Sequence, residues 1–260
     1  MYIFVTMLRK LLNEHTPEYI AASFDLPGRT FRDDLAADYK ANRTPMPDEL
    51  AEQIPMVHAA CEALGVQILT SERYEADDVI GTLTARADGP VEIVTGDRDL
   101  FQLVDDGHPV RVLYTQRGLT KLDVVDESAV TARYHIPGRA YADFAVLRGD
   151  PSDGLPGVAG VGEKTAAALV RTFGSVEAML AAIDAGHGGF PTGSRQKVAA
   201  ARDYLSVAPA VTRVATDAPV PPVSGTLPLT PAAPERLAEL DERWDLGSSL
   251  RRALSALTGQ

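Results

Sequence analysis

Eight carboxylates sit where strand-like segments end or turn. Asp25 closes the apolar run YIAASF (19–24). Glu75, Asp77 and Asp78 (EADD) follow VQIL (66–69) and open the next helical stretch. Asp97 and Asp99 (TGDRD) follow VEIVT (91–95), and Asp150 and Asp153 lie in LRGDPSDG (147–154). In open α/β sheets the site lies beyond the carboxyl ends of the strands, so these acids are expected at one edge. Each has a plainer reading. Asp77 or Asp78 can be a helix N-cap, and DPSDG is ordinary turn chemistry. Clustered carboxylates repel one another and persist where a cation neutralises them. Oxygen-only donors select Mg²⁺ or Mn²⁺ over zinc. The histidines (His15, His58, His108, His135, His187) are scattered and the lone Cys61 has no partner. Such a cage suits two divalent ions about 3.5–4 Å apart, which hydrolyse phosphodiesters without a covalent protein nucleophile. No Walker loop, serine elbow or dinucleotide fingerprint competes with this reading.

Two further segments bear on the substrate. In LPGVAGVGEKT (155–165), Gly157, Gly160 and Gly162 permit tight turns and close backbone approach. The helix opening at Glu163 directs free N–H groups outward, which favours phosphate, and Lys164 adds a charge. A plain helix–helix connection is the alternative. In GRTFRDDLAADYKANR (28–43), Arg29, Arg32, Lys40 and Arg43 interleave with Phe31 and Tyr39, a mixture that suits a single strand. Asp33, Asp34 and Asp38 dilute that charge, and from these residues alone a solvated surface loop is the better reading.

The elements that must position these groups alternate between strand and helix periods through about residue 125, which predicts parallel α/β construction. Helices are expected over 2–14, 47–64, 76–87 and 98–104, and strands over 19–24, 66–69, 91–95 and 110–114. A hairpin is expected from Val110–Tyr114 to Leu119–Leu122 across 115–118. Beyond Asp126 helices take over, near 128–134, 139–147, 163–172, 176–184, 195–205 and 235–257. Residues 209–234, rich in Pro and Ala, read as irregular. Three parts are expected: 1–125 with a basic segment at 27–46, a helical part 126–208, and a tail 209–260.

The 260 residues carry a formal charge of −11, with 45% hydrophobic and 23% charged residues. That is globular composition and excludes overall disorder and a disulfide scaffold. No apolar run reaches membrane-spanning length, and residues 1–12 meet Arg9 and Lys10 too early for a signal peptide. A cytoplasmic monomer is expected, with no membrane or deducible protein partner. The net charge argues against nucleic acid only if the acids are spread evenly.

FDLPGRTFR (24–32), DYKANR (38–43), YEADDVIGTL (74–83), TGDRDLFQLV (95–104) and LRGDPSDGLPGVAGVGEKTA (147–166), in that order, resemble the 5′-nuclease superfamily. The likeness is to the bacterial 5′→3′ exonuclease domain found at the N-terminus of DNA polymerase I and as free-standing proteins. The resemblance implies a PIN-like parallel sheet flanked by helices, then a helical half with a helix-hairpin-helix (H3TH) element. It implies that Asp25, Glu75, Asp77, Asp78, Asp97, Asp99, Asp150 and Asp153 hold two Mg²⁺ or Mn²⁺ ions. Lys40, Arg43 and Arg32 fall in an arch that brings basic groups to the scissile phosphate, with Tyr39 and Arg29 beside them. Gly157, Gly160, Gly162, Lys164 and Thr165 fall on the hairpin that grips duplex DNA and in relatives can carry K⁺. The implied activity is removal of 5′ ends and 5′ flaps, as in primer processing and repair. Family members begin with a strand ending in a metal-ligand aspartate, upstream of the position matching Met1, so the reading frame is expected to start upstream. An in-frame stop directly before Met1 would exclude that. A catalytically impaired DNA-binding remnant and a PIN-type ribonuclease are the competing readings.

Overall fold

The computed structural model describes residues 1–115, 122–224, 226–229 and 233–259. In chain order these form α1 (Tyr2–His15), β1 (Ala21–Ser23), α2 (Phe31–Leu35), α3 (Asp48–Ala51), α4 (Gln53–Leu64), β2 (Gln67–Leu69), α5 (Ala76–Arg86), β3 (Val91–Thr95), β4 (Val110–Tyr114), β5 (Asp123–Val125), α6 (Glu127–Tyr134), α7 (Tyr141–Arg148), α8 (Glu163–Phe173), α9 (Val176–Asp184), α10 (Ser194–Ala200), α11 (Arg202–Thr212), α12 (Pro234–Arg243) and α13 (Ser249–Thr258). Short 3₁₀ turns cover Asp99–Leu103, Gly138–Ala140 and Pro151–Asp153. The predicted α/β class with parallel pairing is what the chain adopts. β1 pairs parallel with β2, and β3 pairs parallel with β4.

Two compact units divide the residues. The first takes Met1–Leu26, Thr44–Ser71 and Pro219–Gln260. Its core joins Val5, Leu8 and Leu12 of α1 to Val57, Ala60, Cys61 and Leu64 of α4, with Leu237, Leu240, Leu250, Ala253 and Leu257 from the two C-terminal helices. The second takes Pro27–Arg43 and Glu72–Ala218. Its core sets Ile93 and Val112 of the sheet against Phe101, Tyr141, Phe144, Leu147, Leu169 and Leu205.

Several elements differ from the sequence reading. The helix expected over 47–64 is two helices, α3 and α4. Pro55 lacks the N–H a continuous helix would need and is tolerated only within a first turn, where α4 puts it. The segment 98–104 is a 3₁₀ turn. The helix expected over 195–205 breaks at Ala201, and its second part runs on through Pro209 to Thr212, where an irregular tail was expected. The helix expected over 235–257 breaks where Asp245 and Gly247 take positive φ. Of the hairpin expected across 115–118 to Leu119–Leu122, residues 116–121 lie outside the described residues; β4 pairs antiparallel with β5, in the register Val112 to Val125. Among the described residues no single helix is long and apolar enough to cross a membrane.

Cys61 is 0% exposed on α4, and burial, with Glu62 adding repulsion, pushes its thiol up to about 12. Only the thiolate reacts readily. A chromogenic disulfide reagent at pH 8 is therefore expected to leave the native protein unlabelled and to titrate one thiol after denaturation. Rapid native labelling would show that α1 and α4 separate readily.

Candidate active site

The second unit gathers acids from separate segments around one small cavity. Glu75, Asp77, Asp99 and Asp153 line it with Arg32, Tyr39, Leu155 and Val211. Glu75 is the N-cap of α5 and Asp77 lies in its first turn. Asp97 and Asp99 follow β3, where the Asp97 carboxylate accepts the Asp99 N–H at 2.9 Å. Asp153 ends the 3₁₀ turn that Asp150 caps, Asp150 accepting from the Ser152 N–H at 3.0 Å. The carboxyl of Asp99 is pushed up to about 7, first by burial and then by Asp97, Asp153 and Asp150, against a partial offset from Arg148. The pocket thus carries more negative charge than its own cations cancel.

Asp78 departs from its predicted metal role. It is 0% exposed and both its oxygens are taken. Arg32 grips it with two bonds of 2.6 and 2.7 Å, and the backbone N–H groups of Glu75 and Ala215 donate at 2.9 and 2.8 Å. The N-cap of α5 is Glu75 and not Asp77 or Asp78; Asp78 takes the N3 place of its capping box, a structural use of the carboxylate. Arg32 also departs from its arch role. It is 2% exposed, and two further donors go to the carbonyls of Val211 (2.7 Å) and Arg213 (3.1 Å). Four of its five N–H groups are engaged in this way and Nη1 also faces Glu75 at 3.7 Å, so the fork is a structural tie.

The segment 39–43 folds over the acids. The Tyr39 hydroxyl donates to Glu75 at 3.0 Å, and burial and Glu75 hold that phenol above its ordinary range, so it stays protonated. Lys40 Nζ reaches the other Glu75 oxygen at 2.6 Å, and Arg43 reaches Asp153 at 2.5 Å. Lys40 takes φ 55°, a left-handed conformation that costs a non-glycine residue free energy. Its N–H is held by the Asp153 carbonyl at 3.0 Å. Gly154, at φ 75°, makes the approach possible, because a Cβ there would meet the Asp38 carbonyl at 2.4 Å. Arg29 is exposed and bound to its own segment, donating to the Asp33 carbonyl at 3.2 Å and pairing with Asp34 at 3.0 Å.

The expected cage is not pre-assembled. Among the described residues no three His, Cys, Asp or Glu side chains stand close enough to enclose an ion. Lys40 and Arg43 take up part of the acids' charge through Glu75 and Asp153. Asp25 lies in the first unit, exposed beyond β1, and is not among the cavity's lining residues.

The glycine segment turns at Gly157 (φ 70°) and Gly160 (φ 72°). Gly157 presses on the α7 end, where a Cβ would meet the Gly149 nitrogen at 2.6 Å. Gly162 has ordinary extended backbone and open space around it, so nothing in the fold requires glycine there. It caps α8 without a side-chain bond, leaving the first N–H groups of that helix exposed beside Lys164, with Thr165 partly covered. The Gly160 carbonyl accepts from Lys197 Nζ at 2.8 Å.

Sequence reasoning missed Arg98, Arg148, Asn42 and Lys197. Arg98 and Arg148 lie inside the quoted motifs, so their place beside acids was the available signal. Asn42 donates to the Pro151 carbonyl at 2.8 Å and ties the basic segment to the acidic turn. Lys197 carried no signal, because only the fold brings it to Gly160.

Two family models match the chain: the 5′-3′ exonuclease N-terminal resolvase-like domain over residues 1–135, and the 5′-3′ exonuclease C-terminal SAM fold over 136–235. A 5′-3′ exonuclease of Streptomyces coelicolor is 47% identical over 261 residues, covering 96% of this chain and 87% of the relative. One from Mycobacterium tuberculosis is 44% identical over 275 residues, covering 98% and 86%. Among solved structures, T5 5′-exonuclease with bound zinc superposes with a TM-score of 0.63 at 18% identity, covering 98% of this chain and 90% of that one. The catalytic core of Rad2 in complex with DNA substrate gives 0.58 at 17%, covering 97% and 82%. At these identities the structural likeness concerns the fold.

Proposed function

The chain belongs to the 5′–3′ exonuclease family and is a nuclease, and from that premise we propose that it hydrolyses DNA at 5′ ends and 5′ flaps with divalent metal ions. The observation that carries this reading is the gathering of carboxylates around one cavity, where burial first and then Asp97, Asp153 and Asp150 raise Asp99 to about 7. An all-oxygen donor set with surplus negative charge fits a hard dication. Glu75, Asp77, Asp97, Asp99, Asp150 and Asp153 would hold Mg²⁺ or Mn²⁺. Asp78 is left out because its lone pairs are engaged. Such ions supply Lewis-acid polarisation of the phosphoryl oxygens and an acidified water.

The chain's own residues do the rest. Lys40 and Arg43 are cations whose partners are the same acids, so they stand beside any phosphate brought to the cavity. Tyr39 stays protonated and donates to Glu75, which fixes the orientation of that carboxylate. The exposed N–H groups opening α8, with Lys164, are suited to a duplex backbone without reading sequence. The Gly160 carbonyl already accepts an ammonium from Lys197, so the residues do not favour K⁺ at that carbonyl. Primer processing and repair in the cytoplasm, by a monomer, is the role this activity suits.

The test is a labelled 5′-flap duplex incubated with Mg²⁺ or Mn²⁺. Cleavage near the junction, lost on Asp97→Ala, is the expected result. Binding without cleavage would point to a remnant, and preference for single-stranded RNA to a ribonuclease; either outcome overturns the proposal.

A further inference from the structure

We propose that Arg148 and Arg98 are phosphate-binding residues that hold the phosphodiester beside Asp150, an assignment that rests on the nuclease reading above. The argument starts from a contrast within one unit. Arg32 and Arg43 show what a neutralising arginine looks like here, with direct bonds of 2.5–2.7 Å to carboxylates. Arg148 and Arg98 stand off. Their η nitrogens lie 3.7 and 4.0 Å from the same Asp150 oxygen, beyond hydrogen-bond length. Arg148 donates one hydrogen bond, from Nε to the Gly149 carbonyl at 3.2 Å. Among the described residues neither of its η nitrogens donates any, and the Arg98 guanidinium donates none.

The Arg148 side chain is 14% exposed, and its guanidinium sits 5.3 Å over the Phe144 ring. A fork held over a ring with its η donors open suits an anion with paired oxygens. Its placement supports that use. Arg148 ends α7, two residues before Asp150, and its other η nitrogen lies 3.8 Å from Glu163, the first residue of α8. It therefore stands between the acids and the exposed helix start that carries Lys164. Arg98 leaves the turn between Asp97 and Asp99 with 41% of its side chain exposed. Planar forks of this kind bind phosphate oxygens in pairs.

The experiment measures binding of a fluorescent 5′-flap duplex in chelator over a range of salt, and cleavage kinetics in Mg²⁺. Arg148→Met and Arg98→Met are each expected to weaken binding about tenfold and to lower the salt slope by about 0.9. Arg148→Lys is expected to keep most of the slope and to leave kcat low, because an ammonium cannot make the paired contact. Arg202→Met serves as the charge control, since Arg202 is bound to Asp184 at 2.5 Å on the surface, and its slope should match wild type. If Arg148→Met melts early, Arg98→Met carries the same test, because among the described residues its guanidinium makes no hydrogen bond and only a 4.0 Å ion pair with Asp150. Wild type binding DNA while both methionine variants keep its slope would overturn this assignment alone. A wild type that binds no DNA would overturn the proposed function and this assignment with it.

Discussion

Asp99→Asn should abolish most flap cleavage and at the same time make the protein harder to melt in chelator. The two effects have one origin. Asp99 is pushed up to about 7 by burial and by three neighbouring carboxylates, so its charge is unfavourable to the fold. Asparagine keeps the volume and removes the charge, and one kcal/mol of relief raises the midpoint by about 2–4 °C in a chain of this size. The same charge is what a dication requires. A metal ion is worth several kcal/mol of transition-state stabilisation, and at 1.36 kcal/mol per decade the expected loss of kcat/KM is about a thousandfold. Thermal melts in chelator and flap cleavage in Mg²⁺ check both halves. A variant that loses activity and also melts earlier would make Asp99 a structural residue.

Arg32→Met should act in the opposite way, on stability first. It leaves Asp78 buried with backbone donors alone, and breaking a buried pair from one side costs about 3–5 kcal/mol. Removing both charges, as in Arg32→Met with Asp78→Leu, should recover much of that loss, because the remaining cost of burying ions disappears with them. The pH dependence has a definite sign. Burial tends to raise the Asp78 carboxyl, but the bonds and charge of Arg32 outweigh it and hold the group below the ordinary carboxylate range. A depressed native pKa contributes stability in full above the unfolded value of about 3.9 and loses it as pH falls further. Urea unfolding should therefore show a wide gap between wild type and Arg32→Met at pH 7 that narrows below about pH 4. A gap independent of pH would mean that packing, and not ionisation, carries the effect.

The sequence was most legible where pattern and site coincide. The apolar run VEIVT and the helix at 176–184 needed no tertiary information, and both form as expected. The acids after β3, at the start of α5 and at 150–153 were found because turn and cap positions are local. Burial was not legible in the same way. Asp77 and Asp78 are adjacent and identical in type, yet one faces the cavity and the other faces the core, which only the packing of Ala215 and Arg213 decides. Arg32 and Arg43 were indistinguishable in a basic stretch, although Arg32 is tied to backbone from the far end of the unit. The helix breaks at 52 and 201 were likewise hidden inside continuous helical periodicity, and only Pro55 marked the first of them.

The tie made by Arg32 also has a consequence for the order of assembly. Its partners stand 46, 179 and 181 residues away along the chain. Closing loops of that length carries an entropic cost that must be met before the contact gives anything back. A growing polypeptide that has reached α5 holds an arginine and an aspartate whose remaining partners, at 211–215, do not yet exist. The segment that brings Tyr39 and Lys40 to Glu75 is thus completed by nearly the last residues of its unit. The acidic pocket therefore takes its final form only when residues from both ends of the unit are present.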